Sequence, residues 1–130
     1  MRIDYTNNTI EMEPGPNLYI MGSPNEFIRL LKIIEPLTTT DDVSISLKSK
    51  IENIEFLGEE IEDILMISKK KGSTLIKMKK SCAVMEMDSL LWKKVKLLIE
   101  GLSKSKAHQF IEFDNLEMIE DCNVIMSSEW

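Results

Sequence analysis

The chain is poor in the residues that build disulfide staples, phosphate-binding loops and paired-imidazole sites. Its 130 residues include two cysteines, five glycines and one histidine. Cys82 and Cys122 form neither a C-x-x-C pair nor a zinc-ligand pattern, so we expect two reduced, unreactive thiols. No glycine belongs to the glycine-rich loop of a nucleotide site, and a lone His108 excludes sites that need two imidazoles. The sequence therefore predicts no metal and no cofactor.

Long hydrophobic runs are also missing. The densest apolar stretches, at 30–34 and 64–67, are far shorter than the ~20 residues that cross a bilayer. The N-terminus carries Asp4 where a signal peptide has its apolar run. We therefore expect a cytoplasmic protein with no membrane partner. Aromatic residues make up only 6% of the chain, and nine methionines supply flexible apolar side chains for the core instead.

Length and patterning predict one α+β domain spanning residues 1–130. The segment 23–26, Ser-Pro-Asn-Glu, has the signature of a capping box and predicts a helix over 24–35, which Pro36 ends. Asp88 caps a second helix predicted over 89–104. Alternating apolar residues predict strands at 2–5, 9–13, 18–21, 43–47, 51–57, 62–68, 74–79, 82–87, 108–113 and 123–126. The lysine-rich segment 69–73 is predicted as a hairpin turn.

The two halves of the chain share a pattern at a spacing of 65 residues. Ser23 and Asp88 cap the two helices at this spacing, and Phe27 and Trp92 follow one turn later. We interpret the pattern as an internal repeat, 1–65 and 66–130, with three strands, a helix and two strands in each half. Chance similarity is the alternative interpretation. The repeat predicts a mainly antiparallel sheet with both helices on one face. The expected core between them is Phe27, Leu31, Ile34, Trp92, Val95 and Ile99.

Charge is distributed unevenly along this chain of net charge −6. Eleven of the 16 basic residues lie between Lys69 and Lys106, and no basic residue follows Lys106. Acidic residues cluster in two runs, at 52–63 and 112–121. Under the 65-residue register both runs follow a helix at related positions, so we expect them on one rim of the sheet. The predicted partner-binding residues are Glu59, Glu60, Glu62, Asp63, Glu112, Asp114, Glu117 and Asp121.

An acidic surface of this kind attracts a basic protein partner and repels nucleic acid. The alternative interpretation is a pair of solvated acidic loops that keep the protein soluble. The lysines between positions 69 and 106 are interpreted as solvated surface charge, because no stacking aromatic residues accompany them. Trp92 and Phe110 occupy apolar-face positions, where core packing explains them. We therefore expect a protein partner and no nucleic acid.

No arrangement of catalytic residues stands out. A pairing of Cys82 with His108, oriented by Glu112 or Asp114, has no local signature in the sequence. Carboxylates are plentiful, but nothing marks two of them as an acid–base pair. We therefore expect no enzymatic activity, and a small hydrolase or isomerase is the third-ranked alternative.

The segment 19–27, YIMGSPNEF, and the leucine-rich helix after it resemble the opening of small acidic immunity proteins of bacterial polymorphic toxins. The tail 108–126 resembles theirs in having a strand, an acidic loop and a last strand. Members of this family neutralise a toxin made by the same cell, and they share no catalytic residues. The resemblance implies a cytoplasmic inhibitor that binds a toxin stoichiometrically, and many such toxins are basic nucleases. The runner-up is a small-molecule-binding or regulatory α+β domain with its site between helices and sheet.

Overall fold

The predicted α+β class is confirmed in a computed structural model, which describes residues 1–6, 16–70, 74–104, 110–112 and 123–128. The predicted strand at 9–13 lies outside these residues. The helices are α1 (Pro24–Thr39), α2 (Leu47–Lys50) and α3 (Ser89–Ser103). The strands are β1 (Arg2–Thr6), β2 (Asn17–Gly22), β3 (Val43–Ser46), β4 (Glu55–Leu57), β5 (Asp63–Lys69), β6 (Thr74–Lys79), β7 (Cys82–Asp88), β8 (Phe110–Glu112) and β9 (Asn123–Ser128).

The described strands form two sheets, whereas the repeat predicted one. Sheet A has the order β4-β1-β2-β9-β8, and sheet B has the order β3-β5-β7-β6. Antiparallel pairs predominate, because β1/β2, β3/β5, β6/β7 and β8/β9 are antiparallel and three other pairs are parallel. The single-sheet expectation is wrong because each half of the chain contributes strands to both sheets. The connection between the parallel strands β2 and β9 carries the chain through all of sheet B, whereas the parallel strands β5 and β7 are connected through β6 within sheet B.

Both sheets are nevertheless assembled in the same order. In sheet A, β1 is antiparallel to β2, β2 is parallel to β9, and β9 is antiparallel to β8. In sheet B the same sequence of orientations runs through β6, β7, β5 and β3. The starts of β2 and β7 are 65 residues apart, whereas those of β1 and β6 are 72 apart and those of β5 and β9 are 60 apart. That the two halves arose as a repeat stays an interpretation.

Helix α1 begins where its capping signal predicts. The amide N of Glu26 donates to Ser23 Oγ at 3.2 Å, and the amide N of Ser23 donates to Glu26 Oε1 at 3.0 Å. These two bonds complete the capping box and satisfy donors that the first turn would leave free. In α3, Asp88 Oδ1 accepts a hydrogen bond from the amide N of Leu91 at 2.8 Å. Both helix starts therefore follow from local sequence.

The prediction that Pro36 ends α1 is wrong, because the helix continues to Thr39. The amide N of Thr40 donates to the carbonyl O of Pro36 at 3.1 Å, which closes the last turn. Leu37 is fully buried just after the proline. Burying a leucine contributes roughly 1.5–3 kcal/mol, enough to offset much of the ~3 kcal/mol that proline costs inside a helix. Tertiary packing therefore extends the helix past its local stop signal.

The predicted helical core is confirmed, with Leu31 half-buried and the other five residues fully buried. Helices α1 and α3 pack against each other, and together they contact β2, β3, β5, β7 and β9. The helix pair therefore contacts both sheets and does not lie on one face of a single sheet. The Trp92 indole Nε1 donates to the carbonyl O of Ile67 at 2.9 Å, which ties α3 to β5. The buried apolar residues are Phe27, Leu30, Ile34 and Leu37 on α1 and, each 65 positions later, Trp92, Val95, Ile99 and Leu102 on α3.

The hairpin in the second half differs from the predicted one. Strand β7 lies between β5 and β6 in sheet B, so β5 and β6 do not pair as a hairpin. The hairpin joins β6 to β7 through Lys80 and Ser81, with a φ of 57° at Lys80. A lysine in left-handed backbone is not a turn signature that sequence reasoning recognises. No helix among the described ranges has the length and apolar character needed to span a membrane.

Candidate functional site

The loop between β4 and β5 carries three of the eight predicted partner-binding residues. Glu59, Glu60 and Glu62 are exposed, and none of them forms an ion pair with a cation in the described part of the chain. Ile61, between two of these glutamates, is only 2% exposed and anchors the loop. The amide N of Glu62 also donates to the carbonyl O of Ser81 at 2.8 Å. The loop therefore presents three unpaired carboxylates from a fixed backbone.

Asp63 differs from its three acidic neighbours because its carboxylate is already hydrogen-bonded. Oδ1 accepts from the amide N of Lys48 at 2.9 Å and from that of Ile64 at 2.7 Å, and Oδ2 accepts from the Ser46 hydroxyl. These bonds fasten the start of α2 to β5. The predicted strand over 43–47 ends at Ser46, and the short helix α2 was not predicted. Asp63 therefore has a structural role that its place in an acidic run did not indicate.

The remaining predicted residues belong to the second acidic run. Glu112 is the last residue of β8, whereas Asp114, Glu117 and Asp121 lie outside the described residues. One row of paired residues crosses sheet A through Leu57, Asp4, Tyr19, Ile125 and Glu112. Strands β4 and β8 run in the same direction, and both end in this row. The ends of β4 and β8 therefore lie at the same rim of sheet A, four strand spacings or about 19 Å apart.

A second feature, missed by the sequence prediction, is a groove of about 620 Å³ between α1 and β3. Its lining combines one stripe of α1, three consecutive residues of β3 and one residue of α2: Arg29, Lys32, Ile33, Pro36, Val43, Ser44, Ile45 and Lys50. Arg29 Nη2 donates to the carbonyl O of Lys50 at 3.3 Å across one end. Three cations and no carboxylate line this α1–β3 groove. The sequence offered one signal for this groove: three of the five basic residues that precede Lys69 line it.

The groove lies between a helix and a sheet, where the small-molecule alternative placed its site, but its charge differs from that expectation. A small-molecule site was expected to be apolar with few charges, whereas this groove is open and carries three cations. The enzyme alternative rests on a pair of carboxylates, and the groove lining contains none. Within the described residues, no three histidine, cysteine or acidic side chains are grouped as metal ligands would be.

Of the two cysteines that were predicted to be reduced and unreactive, Cys82 lies among the described residues. It is half-buried and unbonded to another cysteine, while Cys122 and His108 lie outside the described residues. Burial, and then the neighbouring charge of Asp63, raise the pKa of the Cys82 thiol. Because the thiolate is the nucleophile, a raised pKa keeps this sulfur unreactive near neutral pH.

Comparisons with models of known protein families, with characterised proteins and with solved structures found no match. No relative supplies a substrate, a partner or a catalytic residue for this geometry. The function must therefore be inferred from the chain's own surfaces.

Proposed function

We propose that this protein binds and inhibits a basic protein partner, as the resemblance to toxin-immunity proteins implies. The binding surface is an acidic rim, defined here as Glu59, Glu60 and Glu62 on one side and Glu112, Asp114, Glu117 and Asp121 on the other. The observation that carries the proposal is the shared rim of sheet A at which β4 and β8 both end, since Glu59, Glu60 and Glu62 follow β4 and Glu112 is the last residue of β8. A cytoplasmic location belongs to the same proposal, and the free thiol of Cys82 fits that location.

The separation of the two runs suits a protein-sized partner. About 19 Å divides the strand ends from which the runs start, whereas one small cation would need its ligands within a few ångströms. A standard protein interface buries about 800 Å² on each partner, which is wide enough to cover both runs. The rim therefore fits the basic face of a folded protein better than it fits an ion.

Electrostatics determines how such a rim would act. Exposed carboxylates without counter-ions raise the encounter rate with a basic partner, and they contribute little to folding stability. Salt screens charges beyond about 8–10 Å at physiological ionic strength, so association slows as salt rises. Asp63 is left out of the rim because its hydrogen bonds already use its carboxylate.

The test is co-expression and pull-down with the product of the gene adjacent to this one, followed by association kinetics at ~50 and ~500 mM salt. We expect a complex whose association slows by about tenfold or more at the higher salt. Growth rescue of cells that express the adjacent product shows whether binding also inhibits. A complex that associates equally fast at both salt concentrations contradicts the acidic rim.

Matched charge reversals locate the surface. Glu60→Lys and Glu117→Lys are each expected to slow association several-fold and to leave the unfolding midpoint nearly unchanged. Asp41→Lys is the control, because Asp41 is exposed and precedes β3, a strand of sheet B and not of sheet A. Equal slowing by Asp41→Lys would show that net charge, and not the rim, governs the encounter.

A further inference from the structure

We propose that the α1–β3 groove binds an extended acidic segment of a protein, which adds a strand to the free edge of β3. This site goes beyond the acidic rim, because it belongs to sheet B and selects the opposite charge. Strand β3 is the end strand of sheet B among the described strands, with β5 on its one paired side. An unpaired strand edge offers a row of backbone donors and acceptors to a partner strand.

The lining of the groove indicates that it runs along this edge. Val43, Ser44 and Ile45 are consecutive residues, and all three line it. Successive side chains of a strand point to opposite faces, so a pocket on one face of the sheet would contact only alternate residues. Contact with three in a row means that the backbone edge itself borders the groove. The four residues of β3 would pair with about 13 Å of extended chain.

Charge identifies the occupant as acidic. Arg29, Lys32 and Lys50 are exposed, and none forms an ion pair with an acidic side chain in the described part of the chain. The lining contains no carboxylate, although the whole chain has a net charge of −6. A local cluster of cations on an acidic protein attracts anionic groups to this place and not to the surrounding surface.

The apolar part of the lining argues for a peptide over other anions. Ile33, Pro36 and Val43 lie among the three cations and can contact apolar side chains that alternate with acidic ones along an added strand. Single-stranded nucleic acid would need aromatic side chains for base stacking, and the groove lining has none. A small amphiphilic anion would use the cations and the apolar residues but not the strand edge. The occupant that uses all three features is an extended segment with alternating acidic and apolar residues.

The probe is a fluorescein-labelled hexapeptide of alternating glutamate and valine, with binding measured by anisotropy on the full chain. We expect saturable binding that weakens at high salt. A peptide with N-methylated alternate amides is expected to bind at least about tenfold more weakly, because it lacks the donors for strand pairing. The same sequence with lysine in place of glutamate is expected not to bind.

Variants of the groove provide the second arm. Lys32→Glu and Lys50→Glu are each expected to weaken the glutamate–valine peptide several-fold, and the double variant about tenfold or more. Lys93→Glu with Lys94→Glu is the control, since both residues are exposed on α3 and do not line the groove. Circular dichroism verifies that each variant is folded. Glu60→Lys is expected to leave peptide binding unchanged, so failure of the acidic rim and failure of the groove are distinguishable.

Several outcomes would overturn the proposal. If the N-methylated peptide bound as tightly as the unmodified one, strand addition would be ruled out. If the α3 control variant weakened peptide binding as much as the groove variants, the groove would be ruled out as the binding site. Displacement of the peptide by a short oligothymidine or by decanoate, with tighter binding than the peptide itself, would assign the groove to nucleic acid or to an amphiphilic anion.

Discussion

The buried hydroxyl of Ser68 is expected to lower the stability of the fold, so Ser68→Ala should be stabilising. Ser68 is fully buried on β5, between Val43 of β3 and Met87 of β7, and its Oγ has no hydrogen-bond partner in the described part of the chain. Burying a hydroxyl without a partner costs roughly 1–3 kcal/mol. Removing one oxygen leaves a void smaller than a methyl group, which costs less than about 1 kcal/mol.

The net expectation for Ser68→Ala is a gain of about 1 kcal/mol in the free energy of unfolding. For a domain of this size, that corresponds to a rise of about 3–5 °C in Tm. Urea unfolding followed by far-ultraviolet circular dichroism measures the change, and an unaltered m value shows that it arises from stability. Ser44→Ala on neighbouring β3 is the control, because Ser44 is exposed and its loss should change stability by less than about 0.5 kcal/mol. A loss of stability in Ser68→Ala would refute the reasoning, since it would show that the hydroxyl has a partner.

Three further changes follow from packing and charge. Trp92→Ala is expected to lower the free energy of unfolding by about 3–5 kcal/mol, because a 1% exposed indole and its hydrogen bond to β5 are lost. Leu97→Ala is the control, since Leu97 is 66% exposed on the same helix and its loss should have little effect. Gly101→Ala is expected to add about 0.5–1 kcal/mol in the same urea assay, since no atom lies within 4 Å of the new Cβ and alanine is the better helix former, so a loss of stability would contradict it. Labelling of Cys82 by a thiol reagent, followed by mass spectrometry at that site, is expected to be slow at neutral pH. The rate should rise in Asp63→Asn, because removing the charge of Asp63 lowers the raised pKa of the thiol. Fast labelling of the native chain would contradict this expectation.

Local sequence predicted those helices and strands whose bounds depend on nearby residues. The capping box at Ser23 and the cap at Asp88 predicted both helix starts to the residue, and helical spacing identified five of the eight buried apolar residues of α1 and α3. Strands β6 and β7 lie within a residue of their predicted bounds. Pro36 shows the limit of this reasoning, because its cost in the helix is offset by the burial of Leu37, which only the packed fold reveals.

The pairing of strands into two sheets could not be predicted from local sequence, because the paired strands are far apart along the chain. Strands β2 and β9 pair in parallel although about a hundred residues separate them, and no turn residue records that choice. The α1–β3 groove escaped notice for the same reason, since Arg29 and Lys50 are neighbours only after β3 and α2 fold back against α1. The acidic rim was the reverse case. Its two acidic runs were visible in the sequence, and the register of sheet A then showed that β4 and β8 end at the same rim.

The two proposed surfaces differ in sign, and that difference predicts different responses to salt. At physiological ionic strength the screening length is about 8 Å, so the charges that line each surface determine what it attracts. At ~10 mM salt the screening length grows to about 30 Å, and the net charge of −6 then reaches both surfaces. Lowering the salt concentration therefore strengthens the binding of a basic partner at the acidic rim through both the local charge and the net charge. For an acidic strand in the α1–β3 groove the net charge opposes the local attraction, so its binding should rise more gently as salt falls. Equal salt slopes for the two ligands would mean that the chain presents one electrostatic surface and not two.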